Sequence, residues 1–317
     1  MKNVSFIIPN YNAESTIEKT IKSILMQKYK GKFEIIVIDD KSTDKSVKII
    51  SKFNKYKNFR LIKNKKNIGL SGSLNKSILK SKYELIAIIW CDCILVGEDW
   101  LKNMINKYIA NEKIASVRSN LILPNEVWQK YNFWNKVNTL EEYIRNIKCI
   151  KFGRPTLFSK KLIKKFGLYD NKTFRIAGED TDLCLKLIKK GYKLPLANTD
   201  IIHMHGFYKL SLKNQLFKKA LPLSEASGVI FRKHLFLSNK YRNALTYSII
   251  YLFASIPSLI QPLFLIFLGL IILIYTSRIL IYIKDIRVLF IPIFKIIKDL
   301  ISLFGFWKGF ITGKQRF

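Results

Sequence analysis

The chain has 317 residues, with 55 lysines and arginines against 22 aspartates and glutamates and a formal net charge of +33. This length allows one large domain or two small ones, and this charge favours polyanionic partners such as nucleic acid, anionic lipids or phosphorylated small molecules. The sequence has no helix-turn-helix, zinc-finger or aromatic RNA-binding pattern, which argues against a nucleic-acid partner. Its four cysteines form no disulfide framework and no secretory signal precedes them, so we expect reduced thiols in the cytoplasm.

Strand and helix patterns alternate over the first 120 residues. Buried-strand patterns are predicted at 4–9, 33–40, 59–64 and 83–90, and helical patterns at 16–26, 42–53 and 70–80. The strands are apolar and rich in β-branched residues, which is typical of a sheet covered by helices on both faces. This alternation predicts an α/β domain with a mostly parallel sheet and right-handed crossovers.

A polar cluster follows each of these four strands: PNYN, DDKSTD, NKKNIG and CDC. Because ligands of parallel α/β sheets bind beyond the carboxyl ends of the strands, we expect the clusters to share one site. Asp39 and Asp40 could accept hydrogen bonds from a base or a ribose there, or could only shape a turn. Asn67 and Gly69 could let the backbone approach a phosphate, although the segment NIGLSGS lacks the P-loop pattern.

Cys91, Asp92 and Cys93 follow the fourth strand. A zinc site needs about four nitrogen or sulfur ligands, and the chain has no second pair at a suitable spacing, so we do not expect a thiolate site here. Asp92 has no basic neighbour in sequence and is a candidate ligand for Mg²⁺ or Mn²⁺ bound to a diphosphate.

Residues 124–150 carry several aromatic side chains and are predicted to be irregular. They would form either a lid that packs its own aromatics or a platform for a sugar or lipid acceptor. Residues 153–170 return to a strand and helix pattern.

An acidic cluster, Glu179, Asp180 and Asp182, then opens a predicted helix. Acidic residues at a helix N-terminus often serve as caps. Three together raise one another's pKa, which is how a general base is tuned. His203 and His205 follow a further predicted strand, and one of them could ligate a metal.

The C-terminal third has a different composition. Between Arg242 and Arg278 lie 35 residues without a charge, and about 20 such residues span a bilayer. Basic segments flank this stretch on both sides, which favours a hairpin that keeps both on the cytoplasmic face. The sequence therefore predicts a catalytic domain at 1–240, a membrane-embedded helical segment at 241–283, and a basic amphipathic tail at 284–317 among anionic headgroups.

Five motifs in order, within about residues 3–205, resemble those of glycosyltransferase family 2, which has the GT-A fold. They are FIIPNYNAESTIEKTIKSILMQ, EIIVIDDKSTDKS, NKKNIGLSGSLN, CDCILVGEDWL and GEDTDLCLKLIKKGY. The resemblance implies a nucleotide-sugar donor, a divalent cation (Mg²⁺ or Mn²⁺), and inversion at the anomeric carbon.

The resemblance also implies roles for single residues on the donor side. Pro9, Tyr11 and Asn12 would line the nucleoside pocket, Asp40 would meet the base with Asp39 beside it, and Asn67 and Gly69 would face the nucleotide. The DxD motif of the family aligns with Trp90, Cys91 and Asp92, so that Trp90 takes the place of the first carboxylate. Asp92 would keep the carboxylate that faces the metal, with Cys93 as a small packing residue.

On the acceptor side, the acidic pair of the family maps onto Glu179 and Asp180, which makes Asp180 the expected general base. A phosphate oxygen is already ionised and needs no strong base. This assignment therefore favours transfer to a hydroxyl of a lipid-linked glycan at the cytoplasmic membrane face. Synthesis of a polyprenyl- or dolichyl-phosphate sugar is the alternative, and a catalytically inactive relative is a third possibility because of Trp90.

Overall fold

The computed structural model of the chain describes residues 1–145, 156–204, 211–234, 277, 279, 281–283 and 285–315. Within this part, contacts group the chain into two compact units. One comprises residues 1–130 and 142–208, and the other comprises residues 131–141 and 209–316.

The first unit is built on an eight-stranded sheet with the order β3-β2-β1-β4-β7-β6-β8-β5. Its strands are β1 (Val4–Asn10), β2 (Phe33–Asp39), β3 (Phe59–Lys63), β4 (Leu85–Ile88), β5 (Cys93–Leu95), β6 (Ser116–Ile122), β7 (Thr156–Ser159) and β8 (Leu196–His203). The helices of the unit are α1 (Ile17–Leu25), α2 (Ser46–Ser51), α3 (Gly69–Lys80), α4 (Trp100–Ile109), α5 (Asn125–Gln129), α6 (Phe133–Arg145, shared with the second unit), α7 (Lys160–Lys165) and α8 (Glu179–Lys189). A 3₁₀ turn, Lys52–Lys55, continues α2.

The predicted parallel arrangement holds for the first four strands but not for the whole sheet. β1 pairs in parallel with β2 and β4, and β2 pairs in parallel with β3. In the second half of the sheet, β7 runs antiparallel to β4 and β6, and β5 runs antiparallel to β8. β6, however, pairs in parallel with β8. The sheet is therefore mostly parallel, as predicted, with β5 and β7 as its antiparallel strands.

Helices cover both faces of the sheet, as the apolar strands predict. Successive side chains of β1 point to opposite faces. Phe6 and Ile8 belong to one core with α1, α2 and α4, whereas Ile7 belongs to a second core with α3, α7 and α8. All three side chains are fully buried.

The prediction that residues 124–150 are irregular is wrong for the part that the structure describes. Pro124 precedes α5 in an extended conformation, and fixed proline geometry suits the start of a helix. Trp128 in α5 and Phe133 at the start of α6 are buried, so these two aromatic side chains pack inside the protein. Because the aromatic residues follow one another closely in the sequence, the 3.6-residue apolar repeat of a helix is not recognisable there.

The second unit contains α9 (Leu221–His234) and α10 (Ile291–Thr312), preceded respectively by a π-helical turn, Asn214–Ala220, and a 3₁₀ turn, Ile286–Phe290. α9 and α10 pack at very short range through glycines. A Cβ atom on Gly228 would clash with the carbonyl of Phe306, and one on Gly309 would clash with the carbonyl of Glu225. The predicted tail at 284–317 thus contains a helix that packs on another part of the same chain.

A buried ion pair lies in the contact between α9 and α10. The Glu225 side chain is fully buried, and one of its carboxylate oxygens is 3.2 Å from Nζ of Lys308. Most of the predicted membrane segment at 241–283, including its hairpin, lies outside the described residues. None of the helices that the structure describes is long and apolar enough to span a bilayer. The predicted boundary at residue 240 stays a prediction.

Candidate active site

Polar side chains at the ends of β1 and β2 bind one another. Nδ2 of the buried Asn10 donates to Oδ1 of Asp39 at 2.8 Å. Both the hydroxyl and the backbone N–H of Ser42 also donate to the Asp39 carboxylate, at 2.5 and 3.1 Å. Asp39 is itself buried. Its carboxylate therefore holds the two strand ends together, as a turn-forming aspartate does.

Asp40 organises the turn that leads into α3. Its carboxylate accepts hydrogen bonds from Nδ2 of Asn64 and from the backbone N–H groups of Ile68 and Gly69, each at 2.9 Å. Nδ2 of Asn67 donates to the backbone carbonyl of Asp40 at 3.2 Å. The structure thus brings together Asp40, Asn67 and Gly69, as the shared-site prediction requires. Contact of Asp40 with a base stays a prediction.

Gly69 is required by the geometry of this turn. Its φ is +78°, and a Cβ atom there would lie 2.8 Å from the carbonyl oxygen of Arg175. Only glycine adopts this conformation at little cost. The segment that could face a phosphate is therefore held in place from both sides.

The residues expected to line a nucleoside pocket differ in exposure. Pro9 is buried within β1, whereas Tyr11 is 53% exposed. Asn12 has a positive φ of 51°, and its Oδ1 accepts the backbone N–H of Thr43 at 2.7 Å. This bond ties the loop after β1 to the loop after β2. Tyr11 is accessible to a ligand, while Pro9 could contribute only backbone or packing.

Asp92 lies next to a histidine from the far end of the domain. Oδ2 of Asp92 is 3.2 Å from Nε2 of His203, and the backbone N–H of Met204 donates to the carbonyl of Asp92 at 2.8 Å. Cys93 is directly opposite His203 in the antiparallel pairing of β5 with β8. One ligand atom each of Asp92, Cys93 and His203 lie within 4.8 Å of one another. His205, also predicted as a metal ligand, lies outside the described residues.

Cys93 is the potential metal ligand that sequence reasoning missed. The family resemblance predicts only a packing role for Cys93, and it is indeed fully buried in one core. The signal for a second role was the pairing of β5 with β8, which places Cys93 beside His203 although 110 residues separate them. A short motif search cannot detect a partner at that distance in sequence.

The predicted acidic cluster opens α8, after a glycine in the left-handed region, Gly178 with φ +96°. Glu179 is buried and Asp180 is half-buried. Asp182 is 1% exposed and forms an ion pair with Lys186 at 2.7 Å. Of the three carboxylates, Asp182 therefore has a structural role, and Glu179 and Asp180 form the pair available for chemistry.

The two carboxyl groups of this pair have different environments. Burial raises the pKa of the Glu179 carboxyl well above its usual range, and the nearby charge of Asp180 raises it further. Oε2 of Glu179 is buried without a hydrogen-bond partner, which a neutral carboxyl tolerates better than a charged one. Burial therefore favours the protonated form of the Glu179 carboxyl over its charged form.

This difference predicts a pH effect on stability. Since the pKa of Glu179 is raised on folding, wild-type stability should fall as pH rises from the unfolded value of about 4.5 toward the folded pKa. Glu179→Gln should abolish that decline, as measured by thermal midpoints across this pH range. The exposed Glu126→Gln is the matched control and should keep the wild-type slope. Equal slopes for wild type and Glu179→Gln would contradict a raised pKa.

The fold of this chain is shared with solved structures. A mannosyltransferase of Pyrobaculum calidifontis, solved with GDP-Man and Mn²⁺, superimposes with a TM-score of 0.63 at 15% identity, over 95% of this chain and 86% of its own. The sequence profile of glycosyl transferase family 2 matches residues 5–167. The chain belongs to this family and is a glycosyltransferase.

Two curated proteins are similar to this chain in sequence beyond the residues that the family profile matches. One, from Methanococcus voltae, is named dolichyl N-acetyl-alpha-D-glucosaminyl phosphate 3-beta-D-2,3-diacetamido-2,3-dideoxy-beta-D-glucuronosyltransferase, and it is 27% identical over the full length of both chains. The other, poly-beta-1,6-N-acetyl-D-glucosamine synthase of Staphylococcus epidermidis, is 29% identical over 63% of this chain and 48% of its own length. The similarity thus covers only about half of the synthase.

Proposed function

We propose that the chain transfers a sugar, with inversion, from a nucleotide-sugar donor to a hydroxyl of a lipid-linked glycan at the cytoplasmic face of the cell membrane. The observation that carries this proposal is the pair of unequal carboxyls at the start of α8. The relative from Methanococcus voltae supports it, since its name describes transfer to a sugar that is attached to dolichyl phosphate.

Asp180 serves as the general base in this proposal. It is half-buried, whereas Glu179 is fully buried and has a carboxyl pKa well above its usual range. Asp180 removes the proton from the acceptor hydroxyl as that oxygen attacks the anomeric carbon, on the face opposite the leaving nucleoside diphosphate. A positioned base of this kind contributes roughly 10²–10⁴-fold to the rate. A phosphate acceptor would not need it.

Asp92 and His203 would hold the divalent cation, Mg²⁺ or Mn²⁺. The two side chains fit this role, because a carboxylate oxygen and an imidazole nitrogen lie 3.2 Å apart and both are partly accessible. When bound, such an ion would stabilise the charge on the departing diphosphate. Trp90 is packed against both cores of the domain, so it fills space in place of the missing carboxylate.

Membrane attachment is supported by two features of the second unit. The uncharged stretch of 35 residues between Arg242 and Arg278 has the composition of a membrane segment. On α10, exposed apolar side chains recur every three or four residues and so form one helix face. They are Ile297, Leu300, Phe304, Trp307 and Ile311. Exposed cations on the same unit, such as Lys218 and Lys314, suit anionic headgroups. Co-sedimentation with anionic but not with neutral vesicles tests this part.

Donor turnover tests the enzymatic part. The purified full chain in detergent is incubated with UDP-, GDP- and dTDP-sugars, and release of nucleoside diphosphate is followed with and without Mn²⁺. We expect release from one donor class that needs the cation, and Asp92→Ala should lose most of it because a metal ligand is removed. Asp99→Ala, an exposed aspartate close in sequence, is the matched control and should behave as wild type.

Supplying the acceptor decides between hydroxyl and phosphate transfer. A lipid carrying a phosphate-linked sugar should stimulate release, and the lipid phosphate alone should not. Stimulation by the lipid phosphate alone would favour the polyprenyl-phosphate synthase instead. Absence of release from every donor, even with membrane lipid extract, would mean that the chain has lost catalysis.

A further inference from the structure

We propose that Cys93 is a third protein ligand of the metal site, so that the site presents one oxygen, one nitrogen and one sulfur. It should therefore bind transition-metal ions such as Zn²⁺ or Co²⁺ more tightly than Mg²⁺. This inference rests on the proposed metal-binding role of Asp92, and it adds both a ligand and a metal preference to that role.

The pairing of β5 with β8 brings Cys93 next to His203. Cys93 and His203 are direct partners in the antiparallel pair of β5 and β8, and directly opposite residues project to the same face of a sheet. Asp92 immediately precedes β5, and its carboxylate turns to Nε2 of His203. The backbone fixes this arrangement, because the Cys93 N–H donates to the carbonyl of Trp90 and the Met204 N–H donates to that of Asp92.

The number of protein ligands also points to Cys93. With Trp90 in place of a carboxylate, Asp92 and His203 alone would hold an ion through two side chains. Cys93 is the further ligating residue grouped with them in the part of the chain that the structure describes. Three protein ligands and one open position are the usual composition of a catalytic zinc-type site. The open position would be available to a donor diphosphate.

The distances between the three ligand atoms are close to those of a metal site. Typical bonds of about 2.3 Å to sulfur and about 2.0–2.2 Å to nitrogen or oxygen place the ligand atoms of a tetrahedral site roughly 3.3–3.7 Å apart. The observed separation of Asp92 from His203 is 3.2 Å, and all three atoms are within 4.8 Å of one another. Side-chain movements would bring the three atoms to bonding distance of one ion.

The chemistry of the three ligands determines which metal ions the site prefers. A thiolate is a soft ligand that favours zinc and similar ions, whereas Mg²⁺ prefers oxygen ligands and keeps several waters. On binding, the Cys93 thiol releases its proton to solvent and the sulfur bonds to the ion. The thiol is fully buried, while the side chains of Asp92 and His203 are 19% and 26% exposed. An ion could therefore arrive from the solvent side and have sulfur as its inner ligand.

The test uses Co²⁺ as a spectroscopic probe of the metal-free, full-length protein in detergent. Because other thiols could bind cobalt, the background variant is Cys91→Ser, Cys149→Ser, Cys184→Ser, in which Cys93 is the sole cysteine. We expect this variant to show a thiolate-to-cobalt charge-transfer band that Zn²⁺ displaces at far lower concentration than Mg²⁺. Adding Cys93→Ser should abolish the band and weaken cobalt binding by at least the roughly 10–100-fold that loss of an outer-shell partner costs.

Asp92→Ala and His203→Ala, each in the same sole-cysteine background, should also weaken the band. A sole-cysteine protein that binds cobalt without the band, or a band that persists in Asp92→Ala and His203→Ala, would overturn the proposal. If Cys93→Ser does not fold, X-ray absorption of the zinc-loaded sole-cysteine protein decides, since a sulfur neighbour at about 2.3 Å is required. These measurements need no turnover. A band without donor release would refute only the proposed function, and cation-dependent release without a band would refute only the role of Cys93.

Discussion

Replacing Asp180 with asparagine is expected to lower kcat by roughly 10²–10⁴-fold while leaving the affinity for the donor nearly unchanged. The amide is nearly isosteric with the carboxylate but cannot accept the proton of the acceptor hydroxyl. Burial raises the pKa of the Glu179 carboxyl and so favours its protonated form, which cannot act as the base. Turnover with saturating acceptor and the Kd for nucleoside diphosphate, measured on the same preparation, check both parts of this expectation.

Asp182→Asn is the matched control for this variant. Asp182 lies in the same helical turn, but its carboxylate is paired with Lys186. Its loss should therefore lower the thermal midpoint and leave kcat within a few-fold of wild type. An Asp180→Asn enzyme with near-normal turnover would remove the base from the mechanism and would favour an acceptor that is already ionised.

Replacing Gly228 with leucine is expected to separate α9 from α10. Even a Cβ atom at this position would clash with the carbonyl of Phe306, and backbone cannot move aside as the end of a flexible side chain can. Overpacking of a well-packed contact typically costs about 1–3 kcal/mol, and a whole leucine side chain should exceed the upper end of that range. Faster proteolysis within residues 211–315, with unchanged cleavage of residues 1–130, is the expected result.

Ser227→Leu provides the control because it introduces the same side chain one position earlier on α9. Ser227 is only half-buried, and leucine is a better helix former than serine. This variant should be digested no faster than wild type. Equal protease sensitivity of the two variants would mean that the short-range contact of α9 with α10 does not stabilise the second unit.

Much of the first half of the fold could be predicted from the sequence. β1 to β4 are short apolar runs between polar clusters, and their parallel neighbours β1, β2 and β3 follow from right-handed crossovers. The prediction that Asp40 and Gly69 lie together also follows from this, because both come at the carboxyl ends of parallel strands. The structure confirms this neighbourhood through the hydrogen bond from the Gly69 N–H to Asp40.

The remainder depends on contacts between distant parts of the chain. The antiparallel orientation of β7 and β5 determines which side chains are neighbours in the sheet. The pattern of apolar residues within each strand does not specify this orientation. His203 was a candidate ligand from the sequence, but its partners Asp92 and Cys93 are set by the pairing of β5 with β8. The sequence also does not show that two backbone N–H groups donate to the Asp40 carboxylate. An aspartate at a strand end can either bind a ligand or shape a turn.

The short-range contact of α9 with α10 affects how recombinant fragments of this protein should be designed. A fragment that ends near residue 240, where composition changes, would include α9 but lack α10. The Phe231 ring, whose centroid lies 5.8 Å from that of Phe306, would then be left in water beside the bare backbone at Gly228. Such a fragment should aggregate during expression, and one that keeps both α9 and α10 should give a better yield.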